Sequence, residues 1–100
     1  MVVYNTTNKV MHDIADVWQL WAKEVLIPMM MQTGLFTEAK FYNLVGHDDE
    51  EGKIFVIQYH CASMKEYDTF VKEYDEQFRI MGQRKFANSY ITFRTIMEEL

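Results

Sequence analysis

The chain has 100 residues, 49% of them hydrophobic and 15% aromatic, and carries a net charge of −5. That balance argues against a nucleic-acid partner, which needs clustered Lys and Arg to displace counterions. No apolar run approaches the ~20 residues of a membrane span, and the single cysteine, Cys61, can form no internal disulfide. The expectation is a cytoplasmic protein forming one domain over residues 1–100.

Residues 2–9, rich in Val, Tyr, Thr and Asn, predict a first strand. The opening Met1 to Asn5 has no basic segment and enters that strand at once, which predicts no signal peptide. Asp13 is placed to cap the helix that follows. There Ile14, Trp18, Trp21, Val25 and Met29 recur at helical spacing as one apolar stripe, and Pro28 predicts a kink one turn before it. Gly34 supplies a left-handed stop, with Leu35 folding back onto Met30. Residues 36–46 read as a second strand, Asp48 to Lys53 as an acidic turn, and Ile54 to Cys61 as a third strand. Ser63 and Glu66 form a capping box. It opens a second helix, Met64 to Met81, with the stripe Tyr67, Phe70, Val71, Tyr74, Phe78 and Met81. Gly82 to Ser89 is a partly helical connection, and residues 90–98 a fourth strand.

The order β-α-β-β-α-β, with right-handed crossovers, puts both helices on one side of the sheet. The predicted fold is therefore a ferredoxin-like α+β sandwich with an antiparallel sheet of strand order 4-1-3-2 and one open face. Alternation assigns Phe55, Ile57, Tyr59, Cys61, Ile91, Phe93, Met97, Ala39, Phe41 and Val45 to the helix-covered side, with Val2, Tyr4 and Thr6. The opposite side mixes Val3, Ile54, Val56, Tyr42, Leu44, Tyr90 and Ile96 with Asn5, Thr7, Lys40, Gln58, His60, Thr92 and Arg94. So many large apolar groups do not suit a water-washed face. The expected partner is a second copy of the chain, forming a closed barrel-like dimer with polar groups trapped inside. Asn5, Gln58, His60 and Arg94 are expected to converge there, as interface hydrogen bonds or as ligand contacts, with Tyr42 on the same face. Trp21 lies on the buried stripe and Trp18 at its edge; they read first as core anchors and second as the roof of a pocket. The candidate ligand-binding set is thus Asn5, Trp21, Tyr42, Gln58, His60 and Arg94.

Other chemistries find little support. His12, His47 and His60 are mutually out of reach, and adjacent His60 and Cys61 point to opposite faces, so no metal and no cofactor are expected. Cys61 has no basic neighbour on its own face and reads as a small buried hydrophobe rather than a nucleophile. Asp48 to Glu51 lacks calcium-loop spacing. Met29, Met30 and Met31 read as core filling before they read as a pliable ligand wall. RNA-recognition domains share the element order, but Lys53 to Tyr59 lacks their glycine pair and the protein is acidic.

Tyr4-Asn5, the string Trp18-Gln-Leu-Trp21-Ala-Lys-Glu24 running to Ile27-Pro28, the Thr33-Gly34-Leu-Phe36 exit and Phe93-Arg94-Thr95 together resemble a family of short bacterial proteins of unknown function. That family belongs to the dimeric α+β barrel superfamily, and the resemblance spans essentially the whole chain. It implies a dimeric ferredoxin-like barrel and no established activity. The family pattern commonly has a histidine before the Ile-Pro pair; here Leu26 stands in its place. Some oxygenases of the superfamily resemble this chain in a strand-one asparagine comparable to Asn5. The haem-degrading kind takes a histidine ligand from helix two, which this chain lacks. The leading expectation is a homodimer that binds a small hydrophobic or amphipathic molecule or serves as an assembly module. The rival is a cofactor-independent oxygenase or isomerase acting on a small aromatic or enol, with Asn5 or His60 assisting proton removal. A regulatory effector domain is a third, weaker fit to so short a chain.

Overall fold

The strand that opens the chain is paired along its length on both sides, and the sheet is built outward from it. The computed structural model describes residues 1–46 and 51–100. β1 (Val2–Met11) runs antiparallel to β3 (Gly52–Cys61) on one side and to β4 (Tyr90–Glu98) on the other. β2 (Glu38–Asn43) flanks β3, giving the order β2-β3-β1-β4, which is 4-1-3-2 read from the other edge. β2 is shorter than the predicted 36–46, although the Thr37 and Leu44 N–H groups prolong its pairing by donating to the His60 and Ile54 carbonyls at 2.8 and 2.9 Å. Val45 turns away into solvent and is not part of the core. Of the predicted acidic turn, Asp48, Asp49 and Glu50 lie outside the described residues.

Asp13 caps no helix. Because β1 runs two residues further than predicted, a 3₁₀ turn at His12–Ile14 takes up the next residues, and α1 (Ala15–Trp21) starts after Ile14 without a side-chain cap. A π-helical turn, Ala22–Leu26, then joins α1 to α2 (Ile27–Gln32). Pro28 explains it. Its nitrogen has no hydrogen for the carbonyl of Glu24 and its ring crowds that carbonyl, so the backbone widens one turn earlier. The wide turn rotates the buried side, which runs through Trp18, Trp21 and Ala22 to Met30 and leaves Val25 exposed, off the expected stripe. Gly34 takes φ +76, and Thr33 Oγ1 donates to the Met30 carbonyl at 2.7 Å, which stops the helix.

The second helical layer has two pieces where one was expected. Ser63 Oγ accepts from the Lys65 N–H at 3.3 Å and donates to the Glu66 carboxylate, opening α3 (Met64–Glu73). That hydrogen bond holds Glu66's carboxyl below the usual range. The chain bends at Tyr74, and α4 (Asp75–Phe86) continues past Gly82, so only residues 87–89 connect to β4. The stripe Phe78, Gly82, Phe86 explains the extra length: all three are buried at four-residue spacing. A Cβ at Gly82 would collide with the Tyr90 hydroxyl, so the glycine is what lets β4 begin against the helix.

The two faces of the sheet follow from register. On β1, Val2, Tyr4, Thr6, Asn8 and Val10 are buried under the helices. Their β4 partners are Glu98, Ile96, Arg94, Thr92 and Tyr90. The expected phase of β4 is therefore reversed. Tyr90, Thr92, Arg94 and Ile96 point toward the helices, and Ile91, Phe93 and Met97 point to the open face, 54%, 58% and 42% exposed. β3 and β2 keep their expected sides, with Phe55, Ile57, Tyr59 and Cys61 buried and Ala39 and Phe41 packed against the core.

Trp18, fully buried rather than marginal, centres the interior. Its ring stacks on Phe55 at 5.4 Å and contacts Trp21 at 6.2 Å and Tyr90 at 5.8 Å. A second aromatic group, Tyr4, Phe36, Tyr59 and Phe70, fills the other end.

Ala87 ends α4 with φ 52 and ψ −128, a conformation that suits glycine. Ala87→Gly should raise stability by about 1 kcal/mol, whereas Gly82→Ala should lower it by about 1–3 kcal/mol through overpacking against Tyr90. Urea unfolding midpoints of the two variants check both signs.

Candidate functional site

A cavity of about 60 Å³ lies between the helices and the sheet. Trp18 and Trp21 from α1, Leu26 from the π turn, Met30 from α2, and Phe70 and Phe78 from α3 and α4 give it apolar walls. Tyr4, Thr6 and Asn8 of β1 and Thr92 and Arg94 of β4 give it a polar floor, and Asp75, Arg79 and Tyr90 also line it. The cavity is far larger than the ~10–15 Å³ that one water needs. A wider cavity of about 180 Å³ between α4 and β4 shares Arg79, Tyr90, Thr92 and Arg94 with it and adds Gln83 and Asn88.

The floor is a hydrogen-bonded network set in an apolar interior. Asn8 Nδ2 donates to Thr6 Oγ1 at 3.2 Å and to the Phe55 carbonyl at 3.3 Å, and Asn8 Oδ1 accepts from Thr92 Oγ1 at 2.7 Å. Arg94 Nε donates to the Tyr4 hydroxyl at 3.1 Å. Arg79 Nε donates to Asp75 Oδ2 at 2.8 Å one helical turn away. At the cavity, the buried indole N–H of Trp18 has no acceptor among the described residues.

The six residues singled out from sequence do not form one cluster. Asn5 and Gln58 face each other across β1 and β3 on the open face, and Asn5 Nδ2 donates to Thr7 and Thr95 hydroxyls at 3.3 and 3.2 Å. His60 sits one rung further along the same face, opposite Val3. Its Nδ1 lies 3.5 Å from Met1 Sδ, and its buried Nε2 has no partner among the described residues. Tyr42 is exposed on β2, opposite Val56. Arg94 does not join them, because the phase of β4 carries it to the other side of the sheet. There it meets Trp21 at the cavity. The alternation that assigned Tyr4 and Thr6 inward missed Asn8 as their continuation. Three polar groups at every second position, between Val2 and Val10, were the available signal.

A family model matches the chain over residues 1–100. The chain belongs to the family described as Domain of unknown function (DUF4286). No curated protein matches it significantly. Among solved structures it is similar to a dimeric ferredoxin-like protein from an uncultured marine organism, at 10% identity and a TM-score of 0.67, covering 99% of this chain and 97% of that one. At such low identity the likeness concerns the fold alone.

Electrostatics around the site favour neutral interior groups. Burial pushes the Tyr59 phenol far above its ordinary value and raises that of Tyr4, where the Arg94 charge offsets part of the effect. Burial likewise raises Tyr90, and raises the Cys61 thiol with help from Glu66. A protonated, buried thiol is a poor nucleophile.

Raised phenol values fix the sign of the alkaline response. The folded state prefers neutral Tyr4 and Tyr59, so their contribution is complete below the ordinary value of 10.0 and is lost as pH rises above it. Stability should fall above pH ~10 by about 1.4 kcal/mol per pH unit for each phenol that stays neutral only when folded. Urea midpoints between pH 9 and 11 should show this decline, and Tyr59→Phe should make it shallower.

Proposed function

We propose that the protein is a homodimeric small-molecule-binding module, its two sheets packed face to face and one cavity held between the layers of each protomer. The observation that carries the dimer is the outward row of β4. Ile91, Phe93 and Met97 are large, apolar and about half exposed, and Val3, Ile54 and Val56 lie on the same face. An apolar surface of this kind on a small protein marks an association site. A second copy is the occupant that the face suits, since the similar marine protein is described as dimeric and a two-fold interface uses one patch on both sides. Asn5, Gln58, His60 and Thr95 then become polar groups enclosed between the sheets, where their hydrogen bonds set the pairing geometry. Small-molecule binding is supported by the cavity, with its apolar walls and polar floor. Asn5 and His60, the residues an oxygenase or isomerase reading would use, face away from that cavity, so catalysis forms no part of the proposal.

A reducing compartment such as the bacterial cytoplasm fits this reading, since Cys61 is a free, buried thiol. Among the described residues, no helix is long and apolar enough to cross a membrane.

Sedimentation equilibrium at micromolar concentration should give twice the chain mass. Phe93→Glu should weaken association by roughly a hundredfold or more, the scale set by burying an unpaired charge. A monomeric wild-type protein at that concentration would refute the dimer.

A further inference from the structure

We propose that the cavity between the layers binds a small apolar molecule bearing one carboxylate, with the acid group held by Arg94. This rests on the reading of the protein as a small-molecule-binding module and names the class of ligand. Three observations converge on it.

The first is an unused donor in the interior. Trp18 is 0% exposed and lines the cavity, yet its indole N–H has no acceptor among the described residues. Buried donors in native proteins are nearly always paired, with protein groups or with water, so this one offers a hydrogen-bonding position to a ligand group in the cavity. The second is the state of the two arginines. Arg79 is already paired with Asp75 at 2.8 Å, which balances its charge. Arg94 spends only its Nε, on the neutral Tyr4 hydroxyl, and no carboxylate of the described residues pairs with it. Its two terminal nitrogens are the fork that a carboxylate accepts in bidentate fashion. The third is the net charge at the cavity. Asp75, Arg79 and Arg94 sum to one positive charge, in a protein whose total is −5. One excess positive charge matches a monoanion. A phosphate monoester, with nearly two negative charges, would be left undercompensated beside Asp75.

The walls specify the rest of the ligand. Trp18, Trp21, Phe70 and Phe78 offer aromatic faces, and Leu26 and Met30 offer flexible aliphatic contact. The inner volume of about 60 Å³ is smaller than one aromatic ring, so only part of the ligand would lie there, and the rest would extend into the wider space of about 180 Å³ toward α4 and β4, which Arg94 also lines.

Trp18 and Trp21 are the two tryptophans of the chain and both line the cavity, so intrinsic fluorescence reports on it. The full chain is titrated with benzoate and hexanoate, and in parallel with the neutral benzyl alcohol and hexanol. Saturable quenching by at least one acid, at least tenfold tighter than by its alcohol, is the expected result. Arg94→Gln should bring the acid down to the affinity of the alcohol and leave the alcohol unchanged. Equal affinity for acid and alcohol would overturn the carboxylate assignment while sparing the small-molecule reading. Binding of none of the four at millimolar concentration would overturn both. Should Arg94→Gln not fold, Arg94→Lys carries the test, since it keeps the charge without the fork. Weaker acid binding with unchanged alcohol binding is then expected, and unchanged acid binding overturns the proposal.

Discussion

Asn8 holds the three long strands in register. It is a carboxamide in a mostly apolar interior, and leaving its donors or acceptor unsatisfied would cost about 1–3 kcal/mol per group. Its nitrogen reaches the Phe55 carbonyl on β3, and its oxygen takes the Thr92 hydroxyl on β4. A slip of β4 by one residue would put Ile91 or Phe93 beside the amide and turn Thr92 outward. With Thr92 inward, Tyr90, Arg94 and Ile96 must also be inward, and Ile91, Phe93 and Met97 must face out. The arginine at the cavity and the apolar row on the open face thus come from one register.

The helical layer shows a similar dependence on a few groups. Pro28 widens the backbone into a π turn, and that turn brings Leu26 and Met30 over the sheet while turning Val25 away. Gly82 has no side chain to separate α4 from Tyr90, so the far end of the same layer closes down on β4. Trp18 stands between these two adjustments with its ring fully packed and its N–H without an acceptor among the described residues. Packing is satisfied around it, while hydrogen bonding among the described residues is not, which is the opening the proposed ligand would use.

What the sequence disclosed was mostly local. The capping box at Ser63, the distortion before Pro28 and the left-handed stop at Gly34 each depend on residues within a few positions of one another, and the strand order follows from the succession of elements and the handedness of their crossovers. The failures were non-local. The apolar stripe of the predicted helix ends at Met81, one residue before Gly82, and only the proximity of Tyr90 explains the place of that glycine inside α4. Ile91, Phe93 and Met97 form the more apolar side of β4, and hydrophobicity alone puts such a side in the core, the reverse of the observed phase. The site suffered with it. Sequence patterning marks Arg94 as a site residue but for the opposite face, and marks Trp21 without the Tyr4, Thr6 and Asn8 row that forms the floor of its cavity.

The reversed phase of β4 also bears on what covers the open face. Turning the strand over would bury Ile91, Phe93 and Met97 and expose Tyr90 and Ile96, a net gain of about one large side chain, or roughly 1.5–3 kcal/mol. The loss of Thr92 as partner to Asn8 opposes this by a similar amount. In a lone protomer the exposed apolar row therefore offsets part of what Asn8 and Thr92 contribute to the observed phase. Covering the outer face, as in the proposed dimer, removes the hydrophobic incentive, because the apolar row is then buried in either phase. The polar residues decide what remains. Only the observed phase gives Asn8 its hydroxyl and keeps the Arg94 charge at a solvent-connected cavity instead of between two sheets, where an unpaired guanidinium would be costly. Pairing of the sheets would thus stabilise the same register that places Arg94 at the cavity.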